Sequence, residues 1–252
     1  MKGKIAIVTG AASGIGLATS KALAKEGVSL VMADINGEAL EREAKALGAL
    51  AVKVDLSQAQ QCKALVEQAV QEYGGVDILI NIAGIQKVSP IEDFPEESWD
   101  FMISLMLSAP FYLTKYVWPY MKERGWGRII HLNSIHGIVA SEYKSAYVSA
   151  KHGLTGLTKV SALEGGPYGI TVNSICPAYV KTPLVEKQIR DQSLVHGISE
   201  EEVVEKVMLE KAVIKKLLDP QVIADAIVFL SSESASQITG INLPIDGGWT
   251  SA

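Results

Sequence analysis

The segment Ile5-Ala6-Ile7-Val8-Thr9-Gly10-Ala11-Ala12-Ser13-Gly14-Ile15-Gly16 constrains this chain more than any other. An apolar run reads as a buried strand, the glycines mark a sharp turn, and the amphipathic pattern over 14–26 reads as a helix. Glycines at these spacings let a backbone turn tightly and come close to a pyrophosphate. The N–H groups and positive dipole end of the following helix then face the anion. Gly10, Ser13, Gly14, Ile15 and Gly16 are therefore candidate phosphate-binding positions. An ordinary strand-to-helix turn is the competing reading. Position favours the first, because the turn joins the first strand to the first helix.

The rest of the chain repeats that rhythm. Strands are expected over Ile5–Val8, Ser29–Ala33, Ala51–Val54, Ile78–Ile82, Arg128–Leu132, Thr171–Ile175 and Asn242–Ile245, with helices near 14–26, 37–47, 58–73, 96–123, 146–165 and 221–231. Most of the strand runs are continuously apolar, as in a parallel sheet covered on both faces. Alternation of this kind predicts an α/β fold: a doubly wound, Rossmann-like parallel sheet of about seven strands with helices on both faces. The whole chain, 1–252, reads as one domain. The stretch 182–218 has no strand candidate and predicts helices over Val185–Leu194 and Glu200–Val213. An insertion at the C-terminal end of a strand lies on the ligand side of such sheets, so it is expected to be a helical lid over a substrate.

Composition narrows the classes. The balance of 23 Lys and Arg against 28 Asp and Glu gives a net charge of −5, without the clustered basic face that nucleic acid requires. No apolar run is long enough for a membrane span, and the N-terminus lacks the shape of a secretory signal, so a cytoplasmic location is expected. Cys62 and Cys176 have neither zinc-ligand spacing nor a disulfide framework, and no metal is expected. His131, His152 and His196 show no partner pattern.

Asp34 ends the second strand. A carboxylate there accepts hydrogen bonds from both hydroxyls of an adenosine ribose and repels a 2′-phosphate, which favours NAD over NADP. Asp55, with Leu56 beside it, ends the third strand, where it either meets an adenine or caps the next helix. Farther along, Ser134 closes the fifth strand, and Tyr147 and Lys151 stand one helical turn apart. A phenol has an ordinary pKa near 10. A neighbouring ammonium and a positive nicotinamide both favour its ionised form, so Tyr147 is placed to exchange a proton with a substrate hydroxyl. Ser134 is placed to orient the same oxygen, and Lys151 to hold the nicotinamide ribose as well.

Gly10, Gly14 and Gly16, Asn81-Ile82-Ala83-Gly84, Ser134, Tyr147 with Lys151, Asn173 to Pro177 and Asp246-Gly247-Gly248 together resemble the short-chain dehydrogenase/reductase family over essentially the whole chain. The resemblance implies a cofactor, NAD, contacted also by Ala83, Gly84, Pro177, Val180 and Thr182. It further implies that Asn81 supports the central strand and that the assembly is a homotetramer. Within the family, Gly84-Ile85-Gln86, His136 to Ser141, Lys144 to Tyr147, Thr182 to Ile189 and Asp246 to Trp249 are similar to the bacterial D-3-hydroxybutyrate dehydrogenases. This implies a small hydroxy or oxo acid as substrate, with Gln86, His136, Lys144 and Gln188 holding its carboxylate and Trp249 walling the methyl end. The chemistry is consistent: such an acid needs donors for a carboxylate at a fixed distance from the Ser134 and Tyr147 pair. The competing readings are a solvated Gln188, a His136 that serves only the backbone, and a Trp249 that belongs to the core or to a subunit interface.

Three positions depart from the family pattern. Ile82 replaces an asparagine, Ala178 a glycine, and Met106 the family's fourth catalytic residue, an asparagine whose carbonyl holds a water on the proton relay. Pro110 has no N–H to offer the Met106 carbonyl, so a helix distortion is expected there, with that carbonyl left free for the relay water. Met106 therefore stays among the catalytic candidates through its backbone. The departures keep two alternatives open: a reductase of the same family acting on a 3-oxoacyl, sugar or other ketone substrate, and a weakly active nucleotide-binding scaffold.

Overall fold

The computed structural model describes residues 1–251; Ala252 and the side chains of Asp191, Val195 and His196 lie outside the described residues. Seven strands form one sheet: β1 (Ile5–Thr9), β2 (Ser29–Asp34), β3 (Leu50–Lys53), β4 (Ile78–Asn81), β5 (Gly127–Leu132), β6 (Ile170–Pro177) and β7 (Asn242–Ile245). Their order is β3-β2-β1-β4-β5-β6-β7 and every pairing is parallel. The helices are α1 (Gly14–Lys25), α2 (Gly37–Leu47), α3 (Ala59–Tyr73), α4 (Glu96–Ile103), α5 (Ala109–Arg124), α6 (Ser145–Gly165), α7 (Pro183–His196), α8 (Glu200–Glu202) and α9 (Pro220–Ser231).

Alternate strand residues feed two apolar layers. Ala6 and Val8 of β1, Ile130 of β5 and Ile175 of β6 pack with Leu23 of α1, Leu40 of α2 and Ile227 of α9. Ile7, Ile129 and Val172 point the other way, against Leu65 of α3 and Leu113 and Val117 of α5. A sheet buried on both faces explains why the strand sequences are apolar throughout instead of alternating. Because β1 lies between β2 and β4, the chain leaves β1 and β4 in opposite directions. That opens a crevice at their carboxyl ends.

Two stretches differ from the sequence expectation. The long helix over 96–123 is divided by a π-helical turn, Ser104–Ser108, between α4 and α5. Pro110 sits just beyond it and has no N–H for an ordinary helical bond, so the wider turn is the form the distortion takes. The helix expected over Glu200–Val213 is shorter. It starts at α8 with a Ser199–Glu202 capping box, continues as a π-helical stretch Val203–Met208, and ends where Leu209 leaves helical geometry at φ −102°. Lys215 Nζ satisfies the carbonyls of Leu209 and Glu210 at 2.8 and 2.7 Å, so the chain turns there without another helical turn.

Candidate active site

The dinucleotide side of the crevice is a cavity of about 340 Å³ at the carboxyl ends of the strands. Gly10, Ser13, Gly14, Ile15, Gly16, Asp34, Asp55, Leu56, Ala83, Gly84 and Thr182 all line it. Gly10 and Gly14 have φ of +64° and +52°, which disfavours any side chain, and a Cβ on Gly16 would run into the Gly10 carbonyl. Ser13 precedes α1 in extended conformation, and its side chain makes no capping bond. The first-turn donors of α1 and the Ser13 hydroxyl are thus available to a phosphate. Asp34 braces this turn from β2. One carboxylate oxygen accepts from Ala12 N at 3.0 Å and the other from Asn36 N at 2.9 Å. Asp55 Oδ1 accepts from Ser57 N and Ser57 Oγ, while the residue at the cap of α3 is Gln58. The donor-rich turn and the carboxylate at the end of β2 fit a dinucleotide.

Asn81, Pro177 and Val180 are placed differently. Asn81 is buried and pairs with His131 Nδ1 at 3.0 Å, across the β4–β5 register. Pro177 closes β6, and Val180 is buried in an isolated bridge to Leu218.

Ser134, Tyr147 and Lys151 converge where β5 and α6 meet. Ser134 Oγ accepts from His136 N at 3.1 Å, which leaves the hydroxyl hydrogen free for another oxygen. Asn133, which the sequence reading passed over, fixes this corner: its Oδ1 accepts from Ser134 N and its Nδ2 donates to Thr155 Oγ1. Lys151 is buried, donates to the Leu132 carbonyl at 2.6 Å, and lies 5.6 Å from the centre of the Tyr147 ring. Burial pushes the Tyr147 hydroxyl up to about 12, with the Ser134 hydroxyl pulling the other way, and pushes Lys151 down to about 8. Alone, then, the pocket keeps the phenol protonated, and a positive charge must offset the burial.

The substrate side is a cavity of about 90 Å³ lined by Gln86, Ser134, His136, Lys144, Tyr147 and Gln188, together with Tyr179. Lys144 Nζ lies 3.2 Å from His136 Nε2, and His136 Nδ1 and Gln86 Oε1 are buried without a partner among the described residues. Trp249 stands farther out, lining a larger neighbouring cavity and packing on Ile135, Leu209 and Ala212. Its ring centre is 6.3 Å from that of His136. The sequence reading also missed Tyr179, although it lies between Ala178 and Val180. Met106 turns its side chain into an apolar cluster with Met102, Ala146 and Ala150, with its sulfur against Gly84. Among the described residues no three His, Cys, Asp or Glu side chains gather as a metal-ligand group, and no helix is long and apolar enough to cross a membrane.

This arrangement has close counterparts. A D-beta-hydroxybutyrate dehydrogenase of Rhizobium meliloti is 45% identical over 98% of both chains. One from Cupriavidus necator is 44% identical over 99% of this chain and 98% of its own. The crystal structure of levodione reductase superposes with a TM-score of 0.94 at 32% identity, covering 100% of this chain and 99% of the other. A family model described as enoyl-(acyl carrier protein) reductase matches residues 10–250. On these matches over the whole chain, and with the strand order of the sheet, the chain belongs to the short-chain dehydrogenase/reductase family of oxidoreductases.

Proposed function

We propose that the protein catalyses the reversible, NAD-dependent oxidation of (R)-3-hydroxybutyrate, or a close short-chain 3-hydroxy acid, to the 3-oxo acid. The observation that carries this reading is the small cavity with Ser134 and Tyr147 on one side and Lys144, His136, Gln86 and Gln188 on the other. It brings hydroxyl-binding and carboxylate-binding groups together around one small space. The kinship with the two D-beta-hydroxybutyrate dehydrogenases supports the same substrate.

NAD+, when bound, supplies the hydride acceptor. Gly10, Ser13, Gly14, Ile15 and Gly16 would hold its pyrophosphate, Asp34 its adenosine ribose, and Asp55 and Leu56 would meet the adenine; Ala83, Gly84 and Thr182 would line its nicotinamide half, which Pro177 and the backbone at Val180 would also contact. Asn81 holds the central strand under this half through His131. Ser134 donates to the substrate oxygen, and Tyr147 takes the hydroxyl proton in oxidation and returns it in reduction. Lys151 contributes the positive charge that offsets the burial of Tyr147. The carbonyl of Met106, for which Pro110 has no N–H, holds the water that passes the proton onward. Lys144 supplies charge to the carboxylate; Gln86, Gln188 and His136 supply neutral hydrogen bonds, and Trp249, which the family resemblance assigns to the methyl end, stands outside the small cavity beside His136. The segment 182–218 acts as the lid of a single domain. Its two ends are pinned together, Lys181 N to Leu218 O at 2.8 Å and Leu218 N to Tyr179 O at 2.9 Å, so it hinges as a unit. A cytoplasmic homotetramer accords with the family.

The test is NADH formation from NAD+ with each enantiomer of 3-hydroxybutyrate and with the methyl ester. Activity confined to the free R acid is the expected result. Equal rates with acid and ester would overturn the carboxylate reading and favour a neutral ketone or alcohol.

A further inference from the structure

On the sheet face covered by α6, three neighbouring strands carry a row of polar side chains inside an apolar layer. Asn81 of β4 is in register with His131 of β5, and His131 with Ser174 of β6. Asn81 Nδ2 meets His131 Nδ1 at 3.0 Å, and Ser174 Oγ meets Thr158 Oγ1 of α6 at 2.6 Å. All four residues are buried, and His131, Ser174 and Thr158 completely. His131 lines neither the dinucleotide cleft nor the substrate cavity.

Position links this row to the catalytic lysine. His131 directly precedes Leu132, whose carbonyl Lys151 Nζ binds at 2.6 Å. Lys151 and Thr158 are two helical turns apart on α6, so the face that reaches Ser174 also carries the lysine. The Asn81 amide nitrogen can only donate, so His131 Nδ1 accepts and the ring proton is assigned to Nε2. That Nε2 is buried and has no partner among the described residues; neither has Asn81 Oδ1. An orphaned donor in a dry layer is costly, and a polar recess with several unmet groups is where an internal water settles.

We propose that His131 is a positioning residue for Lys151. Its Nε2–H and the lysine ammonium share one buried water, which holds Nζ in its charged form beneath Tyr147. The inference rests on the reading of Tyr147 and Lys151 as the proton-transfer pair. Burial drives Lys151 toward its neutral form, and the water opposes that drive. The other titratable groups facing the pair are Cys176 of β6 and Tyr179 in the loop beyond it, with the His136 ring edge-on to Tyr147.

Two measurements test it. In the first, His131→Phe removes both nitrogens and His131→Gln restores a hydrogen-bonding group. With His131→Phe, kcat falls about tenfold and its acid limb in the oxidising direction rises by about half a pH unit or more, while KM for the hydroxy acid, which other residues hold, stays unchanged. His131→Gln recovers most of both. Overlaid pH profiles for parent and His131→Phe would overturn the proposal, as would a His131→Gln enzyme as impaired as the phenylalanine variant. The second is a high-resolution crystal structure of the unaltered protein, which needs no turnover. A water bonded to both His131 Nε2 and Lys151 Nζ is expected; a protein acceptor on Nε2, or carbon packed against it, overturns the idea. Absence of any dehydrogenase activity in the parent would strike the proposed function and leave the water to be seen or not seen on its own.

Discussion

Lys144 Nζ stands 3.2 Å from His136 Nε2 in the smaller cavity, on the side proposed to hold a carboxylate. An ammonium only donates, so the imidazole accepts at Nε2 and carries its proton on Nδ1, which is buried and has no partner among the described residues. Burial, then the Lys144 charge, then His152 hold His136 down to about 3. The pair therefore presents one cation and one neutral donor.

Removing that cation tests the division of labour. Lys144→Met is expected to raise KM for the hydroxy acid by about 10–100-fold, the worth of a charge-assisted hydrogen bond, with a smaller change in kcat. Steady-state kinetics at saturating NAD+ measure it. An unchanged KM would mean that the carboxylate lies elsewhere.

Tyr147→Phe is expected to lower kcat by about 10²–10⁴-fold, the usual worth of a positioned acid or base, while NADH still binds with unchanged fluorescence enhancement. The hydroxyl, not the ring, is what changes. A variant that retained a tenth of the activity would assign the proton to another group.

The strands and the glycine turn were readable because buried parallel strands are apolar at every position and a tight turn needs glycine. Tyr147 and Lys151 were readable because helical spacing puts them on one face. His131 was not: its partner Asn81 is 50 positions away, and only the β4–β5 register brings the two together. Asn133 resembled any polar residue at a strand end until its two hydrogen bonds to Ser134 and Thr155 were seen. The apolar periodicity of 200–213 continues past Met208, yet Lys215 Nζ takes the Leu209 and Glu210 carbonyls that a further helical turn would have used.

Asp34 serves two ends on this reading, because the carboxylate proposed to meet the ribose also accepts from Ala12 N. Asp34→Asn keeps an oxygen for the turn but removes the charge that repels a 2′-phosphate. The ratio of kcat/KM for NAD+ to that for NADP+ is expected to fall by at least about tenfold in this variant, with little change in melting temperature. If NADP+ stays excluded, the discrimination belongs to some other group lining the adenosine end.

Acid sensitivity should trace to the two buried histidines. His131 is held down to about 3, by burial first and then by Lys151, and His136 likewise to about 3. Unfolding returns each to its ordinary value of 6.5. Above that pH both states are neutral and the histidines contribute no pH dependence. As pH falls from 6.5 toward 3, the unfolded chain takes up protons that the folded one refuses, so stability drops. The slope is about 1.4 kcal/mol per pH unit for each histidine, or at most about 2 kcal/mol apiece by pH 5. Urea unfolding at pH 7.5 and pH 5 should show the parent losing more stability than His131→Gln, by up to that amount. Equal losses would mean that His131 takes up its proton in the folded state, and the Nε2–H tautomer assigned from Asn81 would no longer describe it near pH 5.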